Sequence, residues 1–350
     1  MFGICYNKTR GVKMSRLKNI IKEYNALGIQ QQLDYDKFYL YSIITHSTAI
    51  EGSTVTELEN QLLFDEGISA NKPITEQLMN LDLKNAYEQS FIYARQNTDF
   101  SIELLCNIAS ILMKNTGSVY QTLGGNFSSA KGELRLLNVS AGRGGKSYIS
   151  WQKVNDKLGQ FYTWINEERK KINKDDIDAI YTLSFEAHYR IVSIHPWADG
   201  NGRMSRLVMN MIQYESGVIP SIVKKENRAE YISSLAQSQD EDDSSKFIDF
   251  MINHHCNNIK IRIDEYKASI NTEGGQKIKS GQKKWSETTK KICNLIQLNP
   301  YITRNELCDN VGINPSAVQK HIEKLKRENI IKRIDGAKGG YWEVKKENKT

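Results

Sequence analysis

The spacing of apolar residues predicts a mainly helical body. Over most of residues 13–265 they recur at intervals of three and four. Residues 35–51, YDKFYLYSIITHSTAIE, show this spacing and stop at Gly52, a residue suited to follow a helix C-terminus. Over residues 124–150 the spacing is lost, and glycines mixed with β-formers predict loops and a hairpin. Further helices are expected over residues 76–95, 101–114, 151–170, 177–192, 201–216, 227–238 and 244–266.

A different pattern begins near Asn271. Residues 271–284 are polar, lysine-rich and contain glycine, which predicts a linker. A helix over 285–298, a second opened by the capping pair Thr303 and Glu306, a turn and a third helix over 314–328 follow, and the short apolar segments IIKRI and YWEV close the region. This is the element order of a winged helix. The predicted fold class is mainly α with a small α+β winged-helix domain at residues 285–346.

Composition narrows the class of protein. The 350 residues are 39% apolar and 25% charged, as in soluble globular proteins. No apolar run is long enough for a signal peptide or a membrane span. The five cysteines are scattered without a CxxC pair, which predicts reduced thiols, a cytoplasmic location and no zinc site.

Charge is concentrated at one end. Residues 271–350 hold 17 Lys and Arg against 9 Asp and Glu, a net charge of +8, whereas the whole chain carries +7. Only this tail therefore has the excess of positive charge that favours a polyanionic partner.

The segment HPWADGNGRMSR, residues 195–206, combines features of a phosphate site. Pro196 disfavours helical angles at the residue before it, so His195 should end a helix or loop. Gly200 and Gly202 allow a tight turn that leaves backbone N–H groups uncovered, directly before a predicted helix. A helix N-terminus of this kind favours an anion.

The charged side chains of the segment agree with that interpretation. Arg203 and Arg206 carry forked donors suited to phosphate oxygens. Asp199 precedes the turn, where a carboxylate beside phosphates commonly holds Mg²⁺. His195 is available to accept a proton at neutral pH.

HPWADGNGRMSR resembles the signature of Fic proteins, in which a phenylalanine usually stands at the position of Trp197. The resemblance extends through His188, Ile194 and NRAEYISSL (227–235) and covers roughly residues 30–260. It implies a Fic catalytic core at 101–270, preceded by an N-terminal helical region at 1–100. It also implies transfer of AMP from ATP to a Ser, Thr or Tyr hydroxyl of a target protein and of the enzyme itself.

The resemblance assigns roles to individual residues. His195 becomes the base and Asp199 the ligand of Mg²⁺ or Mn²⁺. Tyr231 is expected near the base or ribose. The phosphates are expected at Gly200, Asn201, Gly202, Arg203 and Arg206.

Residues 131–151 resemble the Fic flap, a hairpin that aligns a target by strand addition. The resemblance assigns Gly132, Arg135 and Val139 to this target-docking flap. SAGRGGKS (140–147) resembles a phosphate loop, but its first glycine is replaced by Ser140 and no helical pattern follows the lysine, so we interpret it as a hairpin tip.

A second motif lies in the helix over 35–52. Ser47, Glu51 and Gly52 match the inhibitory pattern of Fic proteins, in which the glutamate pairs with the second arginine of the signature and excludes the γ-phosphate. Independently, Glu51 ends a helix, where a negative charge is disfavoured, so it should have a cationic partner. Arg206 is the candidate.

Several alternatives stay open. The winged helix could contact DNA or protein through Gln319, Lys320, Lys324 and Arg327, or act as a passive domain. The rival to an enzyme is a transcription regulator that uses the Fic-like body as a nucleotide sensor. Another donor or removal of AMP is a third alternative. The expected partners are ATP and a target protein, with no membrane; DNA and a homodimer are left open.

Overall fold

A computed structural model describes residues 8–32, 34–141, 147–273, 287–327, 330–334 and 341–344. The chain divides into two compact units, residues 1–272 and 273–350, which are considered separately. No helix in the described ranges is long and apolar enough to cross a membrane.

The first unit is mainly helical, as predicted. Its helices are α1 (Lys8–Ala26), α2 (Tyr35–Ile50), α3 (Glu57–Glu66), α4 (Ile74–Arg95), α5 (Ile102–Leu112), α6 (Val154–Lys171), α7 (Ile177–Ile194), α8 (Asn201–Glu215), α9 (Arg228–Glu241) and α10 (Ser245–Glu273). One antiparallel hairpin joins β1 (Val119–Thr122) to β2 (Gly125–Ser128).

Helix α8 lies at the centre of this unit. All residues from Arg203 to Gln213 are buried, on every face of the helix. A helix buried all round belongs to the middle of a core. Charged side chains in its first turns are therefore carried into the interior, where each needs a partner.

The core does not divide at residue 100, where the sequence suggested a domain boundary. One continuous apolar cluster extends from Leu17 in α1 to Ile263 in α10. The N-terminal helices are thus part of the body that holds α8. Helix α10 also continues to Glu273, into the predicted linker, while the rest of that linker from residue 274 lies outside the described residues.

Buried amides fix the C-terminal half of α2. Thr48 donates to the Oδ1 of Asn80 at 2.8 Å, and the Nδ2 of Asn60 donates to the same oxygen at 2.9 Å and to the Oγ1 of Thr45 at 2.7 Å. These residues join α2 to α3 and α4. Because buried polar groups are costly to leave unpaired, the network sets the position of Ser47 and Glu51.

The second unit has the predicted winged-helix order. It contains α11 (Glu287–Leu298), α12 (Arg304–Val311), α13 (Pro315–Arg327) and an antiparallel hairpin of β3 (Ile331–Ile334) with β4 (Tyr341–Val344). The capping box of Thr303 and Glu306 at the start of α12 is present. Its own apolar cluster includes Ile292, Val318 and Leu325.

Candidate functional site

The turn between α7 and α8 forms the floor of the site. His195 ends α7 in the left-handed region, with φ of 52°. Trp197 anchors the turn: it is buried, and its Nε1 donates to the carbonyl oxygen of Gly132 at 3.1 Å. Gly200, with φ of 81°, has no room for a Cβ, which would lie 2.8 Å from the Sδ of Met113.

The side chain of Asn201 has a structural role in addition to the predicted phosphate contact of its backbone. Its Oδ1 accepts from the backbone N–H of Trp197 at 3.0 Å, and its Nδ2 donates to the carbonyl of the same residue at 2.8 Å. Both polar atoms of the buried amide are thus hydrogen-bonded within the turn. A phosphate can therefore bind this residue only through its backbone N–H. Early N–H groups of a helix lack intrahelical acceptors, so this end of α8 remains suited to an anion.

Arg203 lies beside that helix terminus with an incomplete set of partners. Its guanidinium is buried, with Nη2 3.3 Å from the Sδ of Met113 and 3.8 Å from Oδ2 of Asp199. Its Nε and Nη1 have no hydrogen-bond partner within the described part of the chain. Burial lowers the pKa of Arg203, against the raising effect of Asp199 and Glu51. A buried cation with unpaired donors is a place where an anionic ligand fits.

Arg206 is held by the C-terminal end of α2. Its Nε donates to Oγ of Ser47 at 2.9 Å, and its Nη2 donates to the carbonyl of Ser47 at 2.9 Å and to Oε1 of Glu51 at 2.6 Å. Arg206 is buried, whereas the Glu51 side chain is 36% exposed. The predicted pairing of Glu51 with Arg206 is therefore present.

Glu51 also lies over the N-terminus of α8. A Cβ added to Gly202 would stand 2.6 Å from Oε1 of Glu51. Burial acts to raise the pKa of Glu51, but Arg206, Arg203 and Arg228 outweigh it, and the net pKa lies below its usual value. The carboxylate is thus charged at neutral pH and occupies the place where the helix favours an anion.

Arg228 is a contact that the sequence interpretation missed. Its Nε donates at 2.8 Å to the carbonyl oxygen of Ile50, the last residue of α2. A cation at a helix C-terminus satisfies an unpaired carbonyl and stabilises the dipole. Gly52, with φ of 107°, then turns the chain out of the helix.

Tyr231 lies behind Arg206. It was expected beside the base or ribose, but it is buried beneath Arg206. Its hydroxyl accepts from Nη1 of Arg206 at 3.4 Å and lies 2.8 Å from Nε2 of His188. A ring enclosed in this way supports Arg206 from behind instead of meeting a nucleotide. His188 stands two helical turns before His195, and that spacing was the available sign that it faces the same site.

His195 is arranged as a neutral base. Its Nδ1 lies 3.3 Å from the carbonyl of Val192, and the ring of Tyr148 stacks on the imidazole with centroids 3.9 Å apart. Burial lowers the pKa of His195 to about 4, helped by Arg135 and opposed by Asp199 and Glu51. The imidazole is therefore neutral at pH 7 and can accept a proton.

Two of the predicted flap residues, Arg135 and Gly132, have structural roles. Arg135 is buried and donates to the carbonyls of His195, Leu137 and Ile149 at 2.6 to 2.7 Å, so it ties the flap to the turn and cannot face a target. Gly132, with φ of 70°, is also structural, since a Cβ there would lie 2.0 Å from the carbonyl of Cys106.

Only part of the predicted hairpin is seen. Val139 accepts from the N–H of Tyr148 at 3.0 Å, and Ser140 bridges Ser147 in an antiparallel pair. Residues 142–146, the middle of the segment that resembles a phosphate loop, lie outside the described residues. In the described residues that follow this segment, from Ser147 onward, no α-helix begins before Val154, and only a 3₁₀ turn over Trp151–Lys153 precedes it, in agreement with the hairpin interpretation.

Asp199 is the expected metal ligand. Its side chain is 62% exposed, and Oδ1 accepts from the N–H of Gly200 at 2.6 Å. Among the described residues, no three His, Cys, Asp or Glu side chains form a metal-binding group. One exposed carboxylate fits Mg²⁺, which is commonly bound by one or two carboxylates together with substrate phosphates and water.

Comparison with known families agrees with this geometry. Residues 99–213, which contain the flap, α7 and nearly all of α8, match the Fic/DOC family. This segment is a Fic domain. Residues 286–332 match a family described as winged helix-turn-helix DNA-binding, in agreement with the winged-helix fold of the second unit.

Relatives of the Fic domain extend the match over most of the first unit. The protein adenylyltransferase fic-1 of Caenorhabditis elegans is 26% identical over 264 residues, which is 73% of this chain and 47% of that protein. The protein adenylyltransferase Fic of Culex quinquefasciatus is 27% identical over 245 residues, 67% of this chain and 45% of the relative. The chain thus spans about half the length of these curated relatives.

Solved structures share the fold. A Fic-domain signaling protein of Bacteroides thetaiotaomicron has a TM-score of 0.60 at 19% identity and covers 75% of this chain and 100% of its own. A Fic family protein of Desulfovibrio desulfuricans has a TM-score of 0.58 at 16% identity, with 100% of this chain and 99% of that one covered. At such identities the likeness concerns the fold alone.

In the second unit, the predicted contact residues lie on α13. Lys320 and Arg327 are exposed, while Gln319 and Lys324 are half-buried and Gln319 donates to Glu323 at 2.8 Å. On the wing, the Trp342 ring lies 5.2 Å from Nζ of Lys326 and 4.8 Å from the guanidinium carbon of Arg333. Glu328, the last residue of the predicted third helix, lies outside the described residues.

Proposed function

We propose that this protein transfers AMP from ATP to a hydroxyl group of a target protein and of itself. The observation that carries the proposal is the pair formed by Arg203, buried with two nitrogens that lack a partner among the described residues, and the N-terminus of α8, where the carboxylate of Glu51 holds the place of an anion. Once Glu51 moves away, a polyphosphate supplies acceptors to both. The names of the curated relatives support the choice of AMP as the transferred group.

The reaction is an exchange of bonds at the α-phosphorus. His195 takes the proton of the acceptor hydroxyl at Nε2, since Nδ1 faces the carbonyl of Val192. The acceptor oxygen then forms a bond to the α-phosphorus as the bond to the bridging oxygen breaks, and pyrophosphate leaves. Positioning and charge neutralisation dominate such a reaction, and a single base adds roughly 10² to 10⁴ in rate.

The cations have separate tasks in this proposal. Arg203 and the first N–H groups of α8 bind phosphate oxygens, and Arg206 binds the terminal phosphate once Glu51 leaves it. Asp199 is the residue that would hold Mg²⁺ or Mn²⁺, which supplies neutralisation of phosphate charge.

Glu51 acts as a brake in this proposal. Its carboxylate is bonded to Arg206 and lies against Gly202, so it competes with a phosphate for the same cation and the same helix end. Ser47 binds Arg206 through two separate atoms and keeps it in reach of Glu51.

The experiment that tests the proposal uses Glu51→Gly with ATP labelled at either the α- or the γ-phosphate. We expect label to enter the protein from α-labelled ATP only, at a rate well above that of the parent. His195→Ala in the same background is the control and should bind ATP but transfer nothing. Label from the γ-position would indicate kinase chemistry, and binding without transfer in Glu51→Gly would favour the nucleotide-sensor alternative.

We further propose that the winged helix binds duplex DNA. Two exposed residues of α13, Lys320 and Arg327, support contact with a polyanion. Lys326 of α13 and Arg333 of β3, which both lie beside the ring of Trp342, add positive charge to the same unit. The family described as winged helix-turn-helix DNA-binding supports the same assignment. A gel shift with the full chain and a short duplex, repeated at increasing salt, tests it.

A further inference from the structure

Tyr148 covers one face of the proposed base. Its ring and the imidazole of His195 are nearly parallel, with an interplanar angle of 18° and centroids 3.9 Å apart. Both side chains are half-buried. Stacked aromatic pairs are worth about 0.5–1.5 kcal/mol beyond their burial, enough to favour one orientation of a small ring.

The imidazole has little else to fix it. Its hydrogen bond in the described part of the chain joins Nδ1 to the carbonyl oxygen of Val192 at 3.3 Å, beyond the common range of about 2.7–3.2 Å. A bond this long restrains rotation of the ring weakly. The stack with Tyr148 is therefore the stronger constraint on the direction of Nε2.

Tyr148 is itself anchored from both sides. Its backbone N–H donates to Val139 across the flap at 3.0 Å. The carbonyl of the next residue, Ile149, accepts from Nη2 of Arg135 at 2.6 Å, while Nε of Arg135 donates to the carbonyl of His195 at 2.7 Å. Arg135 thus links the backbone of His195 to the segment that carries Tyr148, and the Tyr148 ring returns to the imidazole of His195.

We propose that Tyr148 is a positioning residue that aligns His195 for proton transfer. The inference rests on the proposed function and deepens it. The backbone contacts of the flap hold Tyr148 in place, and its ring fixes the direction of Nε2 of His195. The aromatic face performs this task, and the phenol hydroxyl does not.

The kinetic test compares Tyr148→Leu with Tyr148→Phe, each in the Glu51→Gly background with α-labelled ATP. We expect Tyr148→Phe to self-label within about twofold of its parent and Tyr148→Leu to fall by about tenfold or more in the rate of the bound complex. The affinity for ATP should change less than twofold in both. Tyr120→Leu is the matched control, since Tyr120 is also half-buried and stacks on Phe127 at 4.8 Å.

A second measurement does not depend on activity. The ring C–H resonances of His195 in NMR spectra should be shifted upfield by the tyrosine ring in the wild type and in Tyr148→Phe, and should lose this shift in Tyr148→Leu. If the Glu51→Gly parent transfers no AMP but the shift behaves in this way, the proposed function fails while the stack stands. The inference is overturned if Tyr148→Leu keeps the shift, transfers at the parental rate, or loses only ATP affinity.

Discussion

Oε1 of Glu51 lies against Gly202, close enough that a Cβ on the glycine would stand 2.6 Å from it. The same oxygen accepts from Nη2 of Arg206 at 2.6 Å. One carboxylate thus ends α2, where its charge opposes the dipole, and covers the N-terminus of α8, where a negative charge is favoured. The second interaction compensates the first, and the site contains an anion supplied by its own chain.

Replacing Glu51 with glutamine should release the brake only in part. The amide keeps the volume over Gly202 but loses the negative charge that binds Arg206. Because charge-assisted hydrogen bonds are worth about 1.5–3 kcal/mol, we expect ATP affinity to rise by roughly tenfold or more and to rise further in Glu51→Gly. Calorimetric titration with ATP measures both steps. Equal affinities in the parent and both variants would show that the carboxylate does not compete with phosphate.

Gly202→Ala should block phosphate binding even when Glu51 is absent. In the Glu51→Gly background the added methyl group no longer meets a carboxylate, but it covers the first turn of α8 where a phosphate must approach the backbone. We expect a loss of ATP affinity of at least tenfold. Gly159→Ala is the control, because a Cβ there meets nothing closer than the Tyr162 hydroxyl at 3.9 Å. Unchanged binding in Gly202→Ala would remove the phosphates from this helix end.

The sequence predicted the turn well because its constraints are local. The end of α7 at His195, the tight turn at Gly200 and the start of α8 follow from Pro196, two glycines and a helical spacing, whereas the left-handed angle of His195 was not predicted. The pairing of Glu51 with Arg206 was also predictable, since an acid at a helix C-terminus needs a cation.

The roles of Arg135, Asn201 and Tyr231 were not predictable, because they depend on burial. All three side chains are buried, and their polar atoms are hydrogen-bonded to neighbouring parts of the chain. Their enclosure follows from the burial of α8 on every side, a property of the whole packing that spacing along one segment does not contain. The stack of Tyr148 on His195 likewise joins segments that are 47 positions apart.

Tyr231→Phe should loosen Arg206 and lower stability. The phenol hydroxyl lies between Nη1 of Arg206 and Nε2 of His188, so its loss leaves a buried histidine nitrogen unpaired at a cost of about 1–3 kcal/mol. We expect this loss in denaturant unfolding together with a several-fold weaker affinity for ATP. Tyr189→Phe is the control, since its hydroxyl donates to the carbonyl of Ser238 at 3.0 Å, away from Arg206. An ATP affinity equal to that of the control would limit Tyr231 to a packing role.

Transfer should stay active in mild acid. Burial lowers the pKa of His195 to about 4, so the proton-accepting form is present at all pH values above it, whereas about a tenth of an ordinary histidine is neutral at pH 5.5. Glu51 acts to raise the pKa of His195, so its removal in Glu51→Gly does not move the loss of activity in acid to a higher pH. We expect kcat/KM for self-labelling by that variant to be nearly flat from pH 8 to 5.5. ATP affinity at each pH is the control, and a limb near 6.5 with constant affinity would contradict the lowered pKa.

Lys320→Ala should weaken DNA binding through the phosphates. Lys320 is exposed on α13, the helix expected to enter the groove. Each lost phosphate contact reduces the slope of log affinity against log salt by about 0.9. We therefore expect the full-length variant to bind a short duplex more weakly with a slope lower by about one, irrespective of sequence. Lys291→Ala, which removes an exposed lysine of α11, is the charge-matched control. Identical slopes in the two variants would mean that α13 does not face the duplex. If the wild type fails to bind DNA at low salt, protein contact becomes the favoured role of this unit.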